Sequence, residues 1–231
     1  MLSIKKLNQA YGASHILRDI DLDIEPGTCT CVLGRNGVGK TTLMQCIMGL
    51  LPIQSGQIFY RDTDIGRMPA EARAPSGIAY VPQGRQIFPL LTVEENIRTG
   101  LFATRASEQK IPDSIYTLFP ILKEMRGRRG GDLSGGQQQQ LAIARALTLE
   151  PELLILDEPA EGIQPTIVTQ IAEVVRDLNQ KLGITVLLVE QKLPFARKLG
   201  THFLVLQRGQ VVSRGRMSEL NEQVVDEFLT V

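Results

Sequence analysis

Gly34-Arg35-Asn36-Gly37-Val38-Gly39-Lys40-Thr41 is the stretch from which the rest of this 231-residue chain is read. It fits G-x-x-x-x-G-K-[ST], the spacing of a phosphate-binding loop. The glycines let the backbone fold tightly and turn several N–H groups toward one anion. Lys40 then reaches the β- and γ-phosphates of a nucleotide, and the Thr41 hydroxyl can ligate Mg²⁺. Thr28 to Leu33 reads as a strand entering the loop. Thr42 to Leu50 reads as a helix leaving it, with its positive dipole end toward the phosphates.

Further along, Leu153-Leu154-Ile155-Leu156-Asp157-Glu158 has the apolar run of a central parallel strand buried on both faces. Two carboxylates at its end need a reason, because an unpaired buried charge is costly. Asp157 fits a residue that holds Mg²⁺ through water, and Glu158 fits a base that polarises the attacking water. Gln83 lies just past another strand, Gly77 to Pro82. Open α/β sheets bind ligands at such strand ends, so Gln83 is a candidate for the Mg²⁺ or water shell. Leu133-Ser134-Gly135-Gly136-Gln137 leads into a helix over Gln138 to Leu149 and forms a second anion site at a helix start. Within one chain a second such site would be redundant, whereas two chains placed head to tail could share each nucleotide. Tyr11, before Gly12, is either an aromatic that stacks on adenine or a surface tyrosine beside a turn.

Bulk properties exclude several classes. Lys and Arg total 25, as do Asp and Glu, so no general attraction to nucleic acid or anionic lipid follows. No apolar run approaches the roughly 18 residues of a membrane span. The segment Met1 to Lys6 lacks the apolar core of a signal peptide, and a soluble cytoplasmic protein is expected. Three cysteines are too few for a disulfide framework. Cys29 and Cys31 share one face of a strand and Cys46 lies on the helix after the loop, which reads as buried thiols.

Around these motifs the chain alternates. Ile20, Leu22 and Ile24 oppose Asp19, Asp21 and Asp23, the pattern of a half-exposed antiparallel strand. Residues 92–149 turn helical, interrupted by Pro112, Pro120 and Gly127 to Gly131, and start with Thr92-Val93-Glu94-Glu95, an imperfect capping box. Arg126, Arg128 and Arg129 read as a solvated face. Thr166 to Lys181 is amphipathic, Ile184 to Val189 is a second central strand, and Phe203–Leu206 with Gln210–Ser213 forms a hairpin across Arg208-Gly209. There is no internal repeat or low-complexity segment.

Taken in order, these motifs resemble the ATP-binding subunits of ABC transporters over nearly the whole chain, and Leu133 to Gln137 matches that family's LSGGQ signature. The resemblance implies an α/β fold: a P-loop NTPase (RecA-like) core, an N-terminal antiparallel β subdomain, and a helical subdomain inserted around the signature. As one domain over 1–231, it would divide into core and β subdomain at 1–91 and 150–231 and helical subdomain at 92–149. It assigns nucleotide binding to Tyr11 and to Gly34, Arg35, Asn36, Gly37, Val38, Gly39, Lys40, Thr41 and Thr42, with Tyr11 on the adenine. Thr41, Gln83 and Asp157 would serve Mg²⁺, and Glu158, Lys40 and Gln191 would serve catalysis. Leu133, Ser134, Gly135, Gly136 and Gln137 would face ATP bound on a partner chain. Gln86 to Leu91, with Ile87, Phe88 and Leu90, would lie where membrane subunits dock, or be plain core.

Two departures narrow the family. The segment after Glu158 reads Glu161-Gly162-Ile163-Gln164-Pro165 where S-A-L-D is usual, and Gln191 stands where His is usual. Gln191 can donate a hydrogen bond to a γ-phosphate but cannot act as a base. These features are similar to the branched-chain amino acid and urea uptake group, and Pro82 to Pro89 is closer to its urea-type subunit. The implied protein is the ATPase motor of an importer for urea or short amides, or alternatively for branched-chain amino acids. It would be peripheral on the inner face of the membrane. Its partners would be a second ATP-binding subunit, homologous or identical, two permease subunits and an external solute-binding protein, without nucleic acid. The rivals are a soluble non-transport ABC ATPase and a non-hydrolysing nucleotide binder. The first usually carries coiled-coil insertions or two cassettes, and Lys40, Asp157 and Glu158 argue against the second.

Overall fold

The structure is a computed structural model that describes residues 1–103 and 110–229. Strands β1 (Leu2–Tyr11) and β2 (Ser14–Ile24) form an antiparallel pair, and β3 (Cys29–Leu33) runs into the phosphate loop and helix α1 (Lys40–Ile47). Then follow β4 (Ser55–Tyr60), the two-residue β5 (Thr63–Asp64), the single turn α2 (Ala70–Arg73) and β6 (Ile78–Val81). The helical stretch holds α3 (Val93–Leu101), α4 (Asp113–Leu118), α5 (Pro120–Glu124) and α6 (Gly135–Leu147). The chain returns through β7 (Leu153–Asp157), α7 (Pro165–Gln180), β8 (Thr185–Glu190), α8 (Leu193–Leu199), β9 (His202–Gln207), β10 (Gln210–Arg216) and α9 (Glu222–Phe228).

Two sheets result. One is antiparallel in the order β2-β1-β4-β5, and the other runs β10-β9-β3-β8-β7-β6. In the second, β9, β3, β8, β7 and β6 are parallel and only β10 is antiparallel. Its central strands are apolar throughout because both faces are covered. Alternate residues divide between two cores. Cys31, Leu154, Leu156, Val186 and Leu188 face the side of α6, α7 and α8, and Val32, Leu153, Ile155, Leu187 and Val189 face α1 and the antiparallel sheet. The helices from α3 to α5 share the first of these clusters through Val93, Ile97, Ile115 and Leu122. All three cysteines are free and buried.

Among the boundaries that differ from the sequence reading, three bear on the site, each for a local reason. Helix α1 starts at Lys40, with Gly39 before it at φ 107°. A Cβ there would stand 2.9 Å from the Leu17 side chain, so only glycine fits. The same helix stops at Ile47 rather than Leu50 because Gly49 turns left-handed at φ 70°, so that its N–H and that of Leu50 fold back onto Cys46 O at 3.1 Å and Gln45 O at 2.9 Å, and Arg73 reinforces the stop. The guanidinium donates to Cys46 O at 2.9 Å, Ile47 O at 2.5 Å and Met68 O at 2.8 Å. Helix ends leave such carbonyls without partners, and here a buried cation supplies the donors. Helix α6 begins at Gly135, three residues early, because Ser134 and Gln137 form a complete capping box. The box at α3 is also complete: Thr92 Oγ1 accepts from Glu95 N, and the Glu95 carboxylate accepts from Thr92 N.

Arg73 is 1% exposed. Replacing it with Met would leave Cys46 O with only the Gly49 N–H and would take the Arg73 donors from Ile47 O and Met68 O, each unsatisfied carbonyl costing about 1–3 kcal/mol. Arg73→Met is therefore expected to destabilise the chain by about 3 kcal/mol and lower Tm by roughly 6 to 12 °C. A thermal melt checks this, and a Tm unchanged within 2 °C or so would refute the capping role.

Candidate active site

An open cleft of about 370 Å³ lies over the N-terminus of α1, lined by Ile16, Asn36, Gly37, Gly39, Lys40, Thr41, Thr42, Gln83 and Glu158. Each wall comes from a different element. The glycine loop and α1 supply the floor, β2 supplies Ile16, and the chain just past β6 and β7 supplies Gln83 and Glu158. These strands are parallel neighbours, so their carboxyl ends open on the same edge of the sheet.

Lys40 is 4% exposed, and its ammonium uses all three hydrogens. It donates to Gly34 O at 2.9 Å and Arg35 O at 3.0 Å, and pairs with Glu158 Oε1 at 3.1 Å. Two of these contacts clamp the loop from inside and the third ties the loop to β7. Glu158 sits at φ 50°, an unusual angle for a residue with a side chain. Its N–H donates to Val189 O at 2.9 Å on β8, which fixes the bend that turns the carboxylate into the cleft.

Asp157 closes β7 at 1% exposure. Its Oδ2 lies 3.3 Å from the Tyr80 hydroxyl, and its Oδ1 is buried with no hydrogen-bond partner. Burial pushes the carboxyl up to about 6, the Glu158 charge adds to this, and the nearby Thr41 and Tyr80 hydroxyls pull the other way. An orphaned carboxylate oxygen near the Thr41 hydroxyl suits a hard divalent cation, which takes oxygen ligands of these kinds, and Gln83 in the same cleft offers an amide oxygen. Asp157, Thr41 and Gln83 thus fit Mg²⁺.

The remaining sequence-derived residues are spread more widely. Tyr11 is half-exposed at the end of β1, paired with Ser14 across the turn that leads to Ile16. Gln191 is exposed just beyond β8. Before it, Glu190 is 2% exposed, and its Oε1 accepts from the N–H groups of Gln191 at 2.8 Å and Lys192 at 2.9 Å. The signature residues do not line the cleft of their own chain. Leu133 is buried in the core, and Gly136 packs so closely on α7 that a Cβ would stand 2.7 Å from Ile167. Gly135 lies against the Arg85 guanidinium, while Ser134 is exposed.

Sequence reading missed several residues. Asn96 is fully buried and holds the irregular segment before α3. Its Oδ1 accepts from Phe88 N at 2.8 Å, and its Nδ2 donates to Phe88 O at 2.9 Å and Leu91 O at 3.1 Å. On that segment Ile87 packs against the core, whereas Phe88 and Leu90 are 49% and 78% exposed. The Arg145 guanidinium stands over the Phe88 ring at 5.6 Å. Glu161 was marked only as a departure from S-A-L-D and not for its bond to Gln83, and Arg85, which donates to the Glu161 carbonyl, was not marked. Their contacts join segments far apart in the chain, and no local pattern announces them.

A glycine loop at a helix start, a buried acid ending a parallel strand of the same sheet and a second carboxylate in the same cleft define the class: a phosphate-loop nucleotide hydrolase. Comparison with known proteins narrows this. The family profile described as ABC transporter matches residues 17–161, more than half of the chain. The High-affinity branched-chain amino acid transport ATP-binding protein BraG of Pseudomonas aeruginosa is 39% identical over 232 residues, covering 99% of each chain. The "Probable branched-chain amino acid transport ATP-binding protein LivF" of Archaeoglobus fulgidus is 39% identical over 223 residues, 96% of this chain and 94% of LivF. Among solved structures, the dimeric post-hydrolysis state of the cassette MJ0796 bound to ADP and Pi superposes with a TM-score of 0.86 at 25% identity, over 94% of this chain and 99% of that one. The ADP conformation of the cassette MJ1267 gives 0.82 at 26%, over 98% and 97%.

This chain belongs to the ABC transporter family. It is an ATP-binding subunit with the cassette fold expected from its motifs, and an ATPase whose hydrolysis powers transport. The two relatives reported bear the names of branched-chain amino acid transport ATP-binding proteins, so the urea-type reading of Pro82 to Pro89 is not supported and the branched-chain alternative fits better. Among the described residues, no helix is long and apolar enough to cross a membrane.

Proposed function

We propose that this chain is the ATP-hydrolysing motor subunit of an importer for branched-chain amino acids. The observation that carries the substrate class is the 39% identity to BraG across 99% of both chains. Under this reading the chain is cytoplasmic and rests on the inner face of the membrane through two permease subunits. A second, related or identical ATP-binding subunit completes the motor, and an external binding protein delivers the solute. Phe88 and Leu90 are the exposed apolar contacts offered to a permease.

The cleft supports a division of labour. Gly34 to Thr42 cradle the phosphates with backbone N–H groups, and Lys40 exchanges its bond to Glu158 for the β- and γ-phosphates. Tyr11 stacks on the adenine beside Ile16. Asp157, Thr41 and Gln83 would hold Mg²⁺, which would offset the charge of the phosphates. Glu158, released from Lys40, orients the attacking water and accepts its proton. Gln191 donates a hydrogen bond to the γ-phosphate. Ser134, Gly135 and Gly136 close over the nucleotide of the opposite subunit. Their absence from the cleft of their own chain is what supports an assembly of two cassettes placed head to tail.

Uptake of labelled leucine and labelled urea by source cells lacking this chain tests the reading. Loss of leucine uptake is expected, restored by the wild-type chain but not by Lys40→Ala. Loss of urea uptake alone would overturn the substrate class and leave the motor intact. Uptake of both solutes at wild-type rates, with related subunits also deleted, would overturn the transport role.

A further inference from the structure

Three residues after Glu158 comes Glu161, at the place where the usual S-A-L-D sequence has its serine. Glu161 N donates to Glu158 O at 3.1 Å, so both side chains leave one tight turn on the same side. They meet a single amide. Gln83 Nε2 lies 2.9 Å from Glu161 Oε2 and 3.3 Å from Glu158 Oε2. An amide nitrogen has two hydrogens, and here each faces a carboxylate. The reverse orientation would set the carbonyl oxygen against two anions with no donor between them. The amide is therefore fixed with its nitrogen toward the carboxylates and its Oε1 turned away from them. Of the two carboxylates Glu161 is the closer, and Glu158 is already engaged by Lys40 at 3.1 Å. Arg85 steadies Glu161 from behind: its Nη2 donates to Glu161 O at 3.4 Å and its Nη1 to Gln138 Oε1 at 3.3 Å.

We propose that Glu161 is a positioning residue for the metal site: by holding Gln83 Nε2, it presents Gln83 Oε1 to the divalent cation that accompanies the nucleotide. This rests on the nucleotide-binding reading above. Glu161 does not line the cleft, and it acts through Gln83, which does. Without it, the amide keeps one weaker bond to Glu158 and is free to turn its N–H groups toward the cation. The charge of Glu161 also keeps Glu158 from serving as the sole anchor of Gln83.

The test is Mn²⁺ binding, followed by electron paramagnetic resonance, to the full chain saturated with a non-hydrolysable ATP analogue. Affinity for the metal-free analogue is measured alongside. Glu161 is exposed, so its substitution leaves the fold intact. Glu161→Ala is expected to weaken Mn²⁺ binding about tenfold, the scale of a hydrogen bond to a charged group, with analogue affinity unchanged within about twofold. Glu161→Gln, which keeps an acceptor oxygen but loses the charge, should recover part of that loss. Mn²⁺ affinity unchanged in Glu161→Ala while the wild-type chain binds both ligands would overturn the proposal alone. Failure of the wild-type chain to bind the analogue would overturn the nucleotide-binding reading and the proposal with it.

Discussion

Glu158→Gln is expected to cut ATP turnover by about 10²- to 10⁴-fold, the range supplied by a positioned general base, while ATP binds more tightly. The first effect follows from the loss of a proton acceptor in the cleft. The second follows from the ion pair that Glu158 makes with Lys40 at 3.1 Å before nucleotide arrives. Phosphates must displace that carboxylate, and a neutral amide competes less well for the ammonium. The pair is nearly buried, so bulk water screens it little. Steady-state phosphate release and calorimetric titration with ATP read the two effects separately. Turnover within tenfold or so of wild type would remove Glu158 from the base role. Loss of ATP binding would show instead that the carboxylate holds the loop in its binding form.

Asp157→Asn should separate stability from function in opposite directions. The buried carboxyl is pushed from an ordinary value of 3.8 up to about 6, so between those limits the folded chain binds more protons than the unfolded one. Stability contributed by this group is therefore full below about pH 4 and falls as pH rises through about 6. Two pH units correspond to roughly 3 kcal/mol, so at pH 7 to 8 the substitution should raise stability by about 2–3 kcal/mol. A Tm increase of roughly 4 to 12 °C is expected at pH 7.5, shrinking toward zero near pH 4. Turnover should be lost, because the amide cannot replace the anionic oxygen offered to Mg²⁺. Thermal melts across pH check the first half and phosphate release the second. A variant less stable than wild type at pH 7.5 would show that Asp157 is satisfied in the folded chain as it stands.

What was legible in the sequence follows from what is local in the molecule. The glycine loop, the acid pair at the end of β7 and the signature at the start of α6 each rest on backbone geometry within a few residues, and the motif carries that geometry with it. The apolar runs of β7 and β8 announced buried parallel strands because both faces are covered. What was not legible depends on residues brought together from afar. Gln83 and Glu161 are 78 positions apart, and Arg73 reaches α1 from 26 positions away. The end of α1, by contrast, is local: Gly49 at φ 70° folds the chain back, and a glycine at that place is itself a stop signal in the sequence. The start of α6 is local too, since Ser134 and Gln137 stand at capping-box spacing and the box can be read directly.

The buried amide of Asn96 gives the segment before α3 a mechanical character. Residues 86–91 have no regular structure, and such a stretch would normally behave as a soft hinge. Bonded to both the N–H and the carbonyl of Phe88 and to the carbonyl of Leu91, it is instead a stiff knuckle mounted on a helix. A push delivered at Phe88 or Leu90 has little slack to take up and passes directly into α3, and through Arg145 into α6, whose first turn is the signature. The part of the surface that looks most like loose chain is thus the one best able to carry load.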